Sequence, residues 1–186
     1  MKHRIAYRNL PQLFLQSREH LMSHFRPILN HFGVTEQQWR VLRLLDEHGQ
    51  LEPRELCDLC QILSSSMSGV LLRMEDMDLV CREAVADDRR RLMVRLAPGG
   101  DRIIGEIAPL IELQYRHIEQ AFGKRIIGDL LSAFEGFMSV ESAAVEQVDL
   151  RAYAASSGVE PLKTKKNAGK ASGSGVKKDK KQIASD

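Results

Sequence analysis

No run of apolar residues in this 186-residue sequence approaches the roughly 18 that suggest a membrane-spanning helix. The basic start, MKHRIAYRNLPQ, leads into an amphipathic segment and not into a short apolar stretch with a small-residue cleavage site, so it does not read as a signal peptide. Three cysteines, an odd number, make no disulfide framework, and a cytoplasmic, reducing setting is expected. Cys57 and Cys60 lack the second pair that a four-ligand zinc site needs, which leaves them as small apolar side chains or as a redox-sensing pair. His20 and His24, at i and i+4 with Glu19 and His31 close in sequence, read more simply as a solvated helix face than as metal ligands. A phosphate loop, a nucleophile elbow and a glycine-rich nucleotide turn are all missing, so neither an enzyme nor a cofactor nor a metal is expected. No internal repeat occurs.

What is present is enough apolar material, 43%, for one good core, and an uneven charge. Residues 151–186 hold nine Lys or Arg against three acidic residues, which puts +6 there and −4 on residues 1–150. The stretch KTKKNAGKASGSGVKKDKKQ has almost nothing to bury and is expected to be disordered. It serves as a solubilising extension or as a non-specific arm for nucleic acid.

Residues 1–150 carry helical periodicity. Leu10, Leu13, Phe14, Leu21, Phe25, Ile28, Leu29 and Phe32 recur at three- and four-residue spacing up to Gly33 and predict one long first helix. Thr35 and Gln38 form a capping box for a second helix with the stripe Trp39, Leu42 and Leu45, stopped by Gly49. Pro53 opens a short third helix, and LSSSMSGVLLRMEDMD forms a fourth, apolar at Met67, Val70, Leu71 and Met74 and ending near Asp78. The period then drops from 3.6 to 2. LVCREAV and RLMVRLA flank residues 87–90 as a β-hairpin, with Leu92, Val94 and Leu96 on one face. Pro98 starts a helix that runs to Gly123, and a last one carries Ile127, Leu130, Leu131, Phe134, Phe137 and Met138.

The expected fold is therefore mainly α, six helices with a small β-hairpin wing, and two short helices followed at once by that hairpin make a winged helix-turn-helix. The divisions are 1–34 for the N-terminal dimerisation helix, 35–97 for the DNA-binding part, 98–150 for the C-terminal dimerisation helices and 151–186 for the tail. In such a motif the second helix enters the major groove by its first turn. Ser64, Ser65, Ser66 and Ser68 stand there, either as small hydroxyls able to approach bases and phosphates or simply as an N-cap and turn signal. Arg73 reaches a phosphate or pairs with Asp76. At the hairpin tip, DDRRR concentrates guanidinium groups where a narrow minor groove is most negative. Asp88, two residues before Arg90, is placed to orient it through a bidentate pair, with Arg89 and Arg91 as flanking phosphate contacts.

The segment ILSSSMSGVLLRMEDMDLVCREAVADDRRRLMVRLAPGGDRII resembles the signature region of the MarR family of winged-helix transcriptional regulators. That family's wing has an Asp-x-Arg-Arg pattern followed by Leu-Thr-x-x-Gly, matched here by Asp88, Arg89, Arg90, Arg91, Leu96 and Gly100. Ala97 stands in place of the usual Thr and Asp78 in place of the usual Gly. QSREHLMSHFRPILNHFGVTEQQWRVLRLL looks more narrowly like the homoprotocatechuate-degradation operon repressor subgroup. The resemblance, over about residues 10–145, implies a homodimer that binds a palindromic operator in double-stranded DNA and is released by a small hydroxylated aromatic or heteroaromatic carboxylate. It implies ligand contacts at Trp39, Arg43, Tyr115 and, from the other subunit, Asn9, with Arg18, Met22 and Phe25 closing the pocket. Trp39 and Arg43 are one helical turn apart, which puts an aromatic ring and a carboxylate-binding fork on one face. From another class, the Lys-rich tail leaves a nucleoid-type, non-specific DNA-binding protein as the alternative.

Overall fold

The computed structural model describes residues 5–85 and 88–158; the side chains of Val85, Asp88, Arg89, Arg90 and Ser142 also lie outside that description. The elements are α1 (Leu10–Ser23), α2 (Arg26–His31), α3 (Glu36–His48), β1 (Gln50–Leu51), α4 (Pro53–Cys60), α5 (Ser64–Asp76), β2 (Val80–Val85), β3 (Asp88–Leu96), α6 (Pro98–Phe122), α7 (Lys124–Ser139) and α8 (Leu150–Ser157). One compact unit ends at Phe137 and a second begins at Met138.

The long first helix expected from the apolar spacing is two helices. Pro27 has no N–H to donate, and its ring meets the carbonyl of the residue four back, Ser23, where α1 stops. His24 and Phe25 instead donate to Leu21 and Met22, three residues back, and Gly33 closes α2 at φ 67°. Thr35 and Gln38 form the expected capping box on α3, and the serines do not cap α5: its N-cap is Leu63, without a side-chain bond. Among the described residues the helix count rises from six to eight through this break and through α8, which lies at the start of the extension and is capped by Asp149 accepting from the Arg151 and Ala152 N–H groups.

The wing strands pair antiparallel, Val80 with Leu96 through Ala84 with Leu92, and an irregularity between Ala84 and Val85 brings Val85 opposite Asp88. Strand β3 therefore begins at Asp88, so that Arg89 and Arg90 belong to the strand backbone and not to the turn. A two-residue strand, β1, pairs Gln50 with Arg95 and Leu51 with Val94, which gives the order β1-β3-β2. The core gathers Leu29, Leu42, Leu45, Leu56, Met67, Leu71, Met74, Val94 and Ile107 from α2 through α6. Helix α6 enters this packing through a glycine pair. A Cβ on Gly99 or Gly100 would overlap the carbonyl oxygens of Asp78 and Leu79, so only glycine lets α6 start against the turn before β2. Asp78 itself sits at φ 57°.

Candidate functional site

Helix α5 is held from behind by Met67, Val70, Leu71 and Met74, which leaves Ser64, Ser65, Ser66, Ser68 and Arg73 exposed. No hydrogen bond engages the four serine hydroxyls among the described residues, and the backbone N–H groups of the first turn lie beside them. Arg73 does not pair with Asp76. Its guanidinium lies back over Gly69, where a Cβ would come 3.5 Å from Nη1.

The wing is tied to the helices by ion pairs. Arg82 on β2 donates to Glu75 on α5, and Arg95 donates to Glu83 across the two strands. Arg91 donates through Nε, at 2.7 Å, and through Nη2 to Glu52 Oε1 just before α4. The expected orientation of Arg90 by Asp88, and the placement of Arg89, rest on side chains outside the described residues. Glu52 and Glu75 were not legible as site residues. Glu52 and Arg91 are 39 positions apart, and only the fold brings them together.

Of the residues the resemblance assigns to a ligand, Trp39 is buried at 8% exposure while Arg43, one turn further along α3, is exposed. Helices α2, α3 and α6 pack on one another, so Phe25 and Trp39 share the core, with Met22 packed against it. The Phe25 ring lies 4.8 Å from that of Tyr115, which is 40% exposed. Two residues already have partners within the chain. Asn9 caps α1 by accepting from the Gln12 N–H at 3.2 Å, and Arg18 Nη2 donates to Glu36 at 2.7 Å. Glu36 also accepts from Arg26 Nε at 2.6 Å, and Arg26 grips Glu19 with both Nη atoms at 2.7 Å. The Arg26 guanidinium holds the Glu36 and Glu19 carboxyls below the usual carboxylate range, against an opposing contribution from burial. An open groove of about 680 Å³ lies between α4, the start of α5 and β2, lined by Arg54, Cys57, Ser64, Ser68 and Arg82 among others. None of the ligand-assigned residues lines it.

The cysteine pair fits a structural role. Cys60 is buried, burial pushes its thiol up, and both cysteines lie in the last turns of α4, where carbonyl ends disfavour a thiolate. Of the histidine pair, His20 is exposed, as a solvated helix face requires, and His24 is half-buried. The His20 and His24 rings meet edge-on at 5.4 Å and pack on Phe122 at 5.8 and 6.3 Å. Among the described residues no cluster of three His, Cys, Asp or Glu could hold a metal ion, and no helix is long and apolar enough to cross a membrane.

Comparison with known proteins agrees with this geometry. Residues 32–91 match the model of the MarR family. The chain is 39% identical over 121 residues to the HTH-type transcriptional regulator FarR of Neisseria gonorrhoeae, covering 63% of this chain and 83% of that protein. It is 35% identical over 134 residues to the homoprotocatechuate degradative operon repressor of Escherichia coli, covering 72% and 90%. The solved structure of NadR in complex with 4-hydroxyphenylacetate superposes with a TM-score of 0.66 at 33% identity, covering 76% of this chain and all of that one. With a helix-turn-helix, a three-stranded wing and relatives that match over most of their length, the chain belongs to the MarR family of transcriptional regulators.

Proposed function

We propose that the protein is a homodimeric repressor of an aromatic-acid catabolic operon. It binds a palindromic operator through residues 35–97 and is released by a small hydroxylated aromatic or heteroaromatic carboxylate. Arg43 carries the effector half of this reading. It is an exposed guanidinium one turn from the buried Trp39 ring and has no ion pair among the described residues, whereas Arg18 and Arg26 nearby are both taken by carboxylates. The ring of the ligand packs against Trp39 and its carboxylate meets Arg43, while the polar ring substituent reaches Tyr115 or the partner subunit's Asn9. The 4-hydroxyphenylacetate held by NadR and the homoprotocatechuate degradative operon for which the E. coli relative is named support this ligand class.

The DNA half places the first turn of α5, with Ser64, Ser65, Ser66 and Ser68, in the major groove. Arg73 and Arg89 meet phosphates and Arg90 enters the minor groove. A ligand releases DNA only by binding the non-competent spacing of the two lobes more tightly, and each 1.4 kcal/mol or so of difference is about tenfold in operator affinity. The test is calorimetry with 4-hydroxyphenylacetate, protocatechuate, hydroxynicotinate and salicylate, run beside DNA release and repeated on Arg43→Ala. Binding that survives Arg43→Ala unchanged removes the carboxylate anchor. A salt titration on random and palindromic duplexes separates this repressor from a nucleoid-type protein, which would show no large preference for either.

A further inference from the structure

Among the described residues an arginine–glutamate pair fastens each wing strand to the helix-turn-helix, and these two pairs differ in cover. Arg82 and Glu75 are both largely shielded, with side chains 27% and 29% exposed. Arg91 is 58% exposed and Glu52 31%. An ion pair open to solvent has a small net energy, and a phosphate offers the same pair of oxygens to a guanidinium fork. Arg91 lies on the outer face of β3, in the alternation that turns Val94 into the core, and three residues from the strand's start at the tip.

The geometry points to Glu52 as a latch on Arg91: the DNA-free protein stores this guanidinium on the Glu52 carboxylate, and a docked duplex takes it over with a phosphate. Glu52 is thus a positioning residue that lowers affinity for DNA by competing for one of the wing's own cations. A duplex must bring a phosphate close to the wing before the contact forms. The Arg82–Glu75 pair stays closed and keeps the wing in place during the exchange. The inference rests on the DNA-binding reading above, and goes beyond it by assigning a role to an acidic residue outside the family's wing pattern.

The test is a double-mutant cycle on the full-length protein with a fluorescent random-sequence duplex, read by anisotropy. Glu52→Gln keeps the length and shape of the side chain, and it should bind roughly two- to fivefold more tightly than wild type. Arg91→Ala should bind more weakly, and Glu52→Gln added to Arg91→Ala should give no gain. If Glu52→Gln weakens binding, the pair only supports the wing, and the latch is overturned. If it tightens binding equally in both backgrounds, Glu52 acts only as a repelling charge, which overturns it as well. A measurement on the unaltered protein covers a folding defect in the variants. The Arg91 Nε–H resonance, assigned by its loss in Arg91→Ala, should move when duplex is added, and a resonance that stays fixed rejects the exchange. Absence of duplex binding by wild type at low salt would instead sink the DNA-binding reading itself.

Discussion

Helices α5 and α7 are both rich in apolar residues and meet opposite fates. The first buries Met67, Val70, Leu71 and Met74 behind its serine face, whereas α7 buries none of its residues and leaves Ile126, Leu130, Leu131 and Phe137 exposed. Helix α1 resembles α7, with no buried residue and with Leu10, Leu15 and Leu21 open. Phe14 of α1 does touch the rings of Phe134 and Phe137, at 5.7 and 5.3 Å, and Met22 and Ile127 pack against the core, but the exposed residues just named face outward. A winged helix-turn-helix closes its own core within one chain. The outer helices carry stripes that a single chain does not cover, and a second copy is the natural cover for exposed apolar area on this scale.

The sharpest way to break that contrast is Leu131→Asp. In a single chain this side chain is 58% exposed and its replacement should cost little. In a two-fold dimer the change is made twice, and losing the burial of two leucines is worth about 3–6 kcal/mol of association. Sedimentation should show monomers at concentrations where the wild type is a dimer, operator binding should collapse, and the Trp39 fluorescence that reports the winged core should be unchanged. A variant that remains dimeric would move the interface away from α7.

The converse change is Leu42→Ala, at a fully buried position of α3. It should cost about 2–5 kcal/mol of stability in denaturant unfolding, the usual range for a cavity in a packed core. The dimer should persist at temperatures where the variant stays folded. If Leu42→Ala instead dissociates the dimer while leaving unfolding unchanged, the two regions are not separable in the way their burial suggests.

The same contrast explains what could be read from the sequence. The helices α3 to α5, the wing and the fold class follow from local patterns, such as the Thr35–Gln38 capping box and the switch of period at Val80, because these regions bury one face of each element. The break in the first helix is hidden from the periodicity because the apolar spacing continues straight through Pro27, and the proline alone signals it. Strand β1 is only two residues long and has no period to detect. The ion pairs Arg91–Glu52 and Arg18–Glu36 join residues 39 and 18 positions apart, and Arg82–Glu75, though only 7 apart, crosses from helix to strand, so no spacing rule finds them. The ligand assignments rest on resemblance, and within one chain Asn9 and Arg18 already have partners of their own.

A smaller effect is expected at the wing, where DNA binding can be altered without touching either fold or dimer. Arg90→Ala should cost about 1–3 kcal/mol of operator affinity with thermal stability unchanged. Asp88→Ala should weaken binding too, although it removes a negative charge, because the carboxylate's proposed task is to orient the arginine. Tighter binding by Asp88→Ala would show that plain repulsion governs the tip.

The smallest effect concerns how α1, which buries nothing, is fastened to the part of the chain that does. Arg18 on α1 and Arg26 on α2 converge on Glu36 at the start of α3, and Arg26 returns to Glu19 on α1. The side-chain hydrogen bond from Arg26 is the main reason that the Glu36 carboxyl is held below its ordinary value, with Arg18 contributing less and burial opposing both. A carboxyl whose folded pKa lies below its unfolded one stabilises the fold only while it is ionised. Its contribution is complete above the unfolded value, about 4.5, and is lost as pH falls through the lower folded value. Because the arginines are partly solvated, the contribution is at most about 1 kcal/mol. Glu36→Gln should therefore be slightly less stable than wild type at pH 7, and the two should converge on acidification below about pH 4. Chemical unfolding at a series of pH values measures this directly. A deficit that stays the same from pH 7 to pH 3 would mean that Glu36 acts through packing and capping of α3, and that the charge cluster does not hold α1 in place.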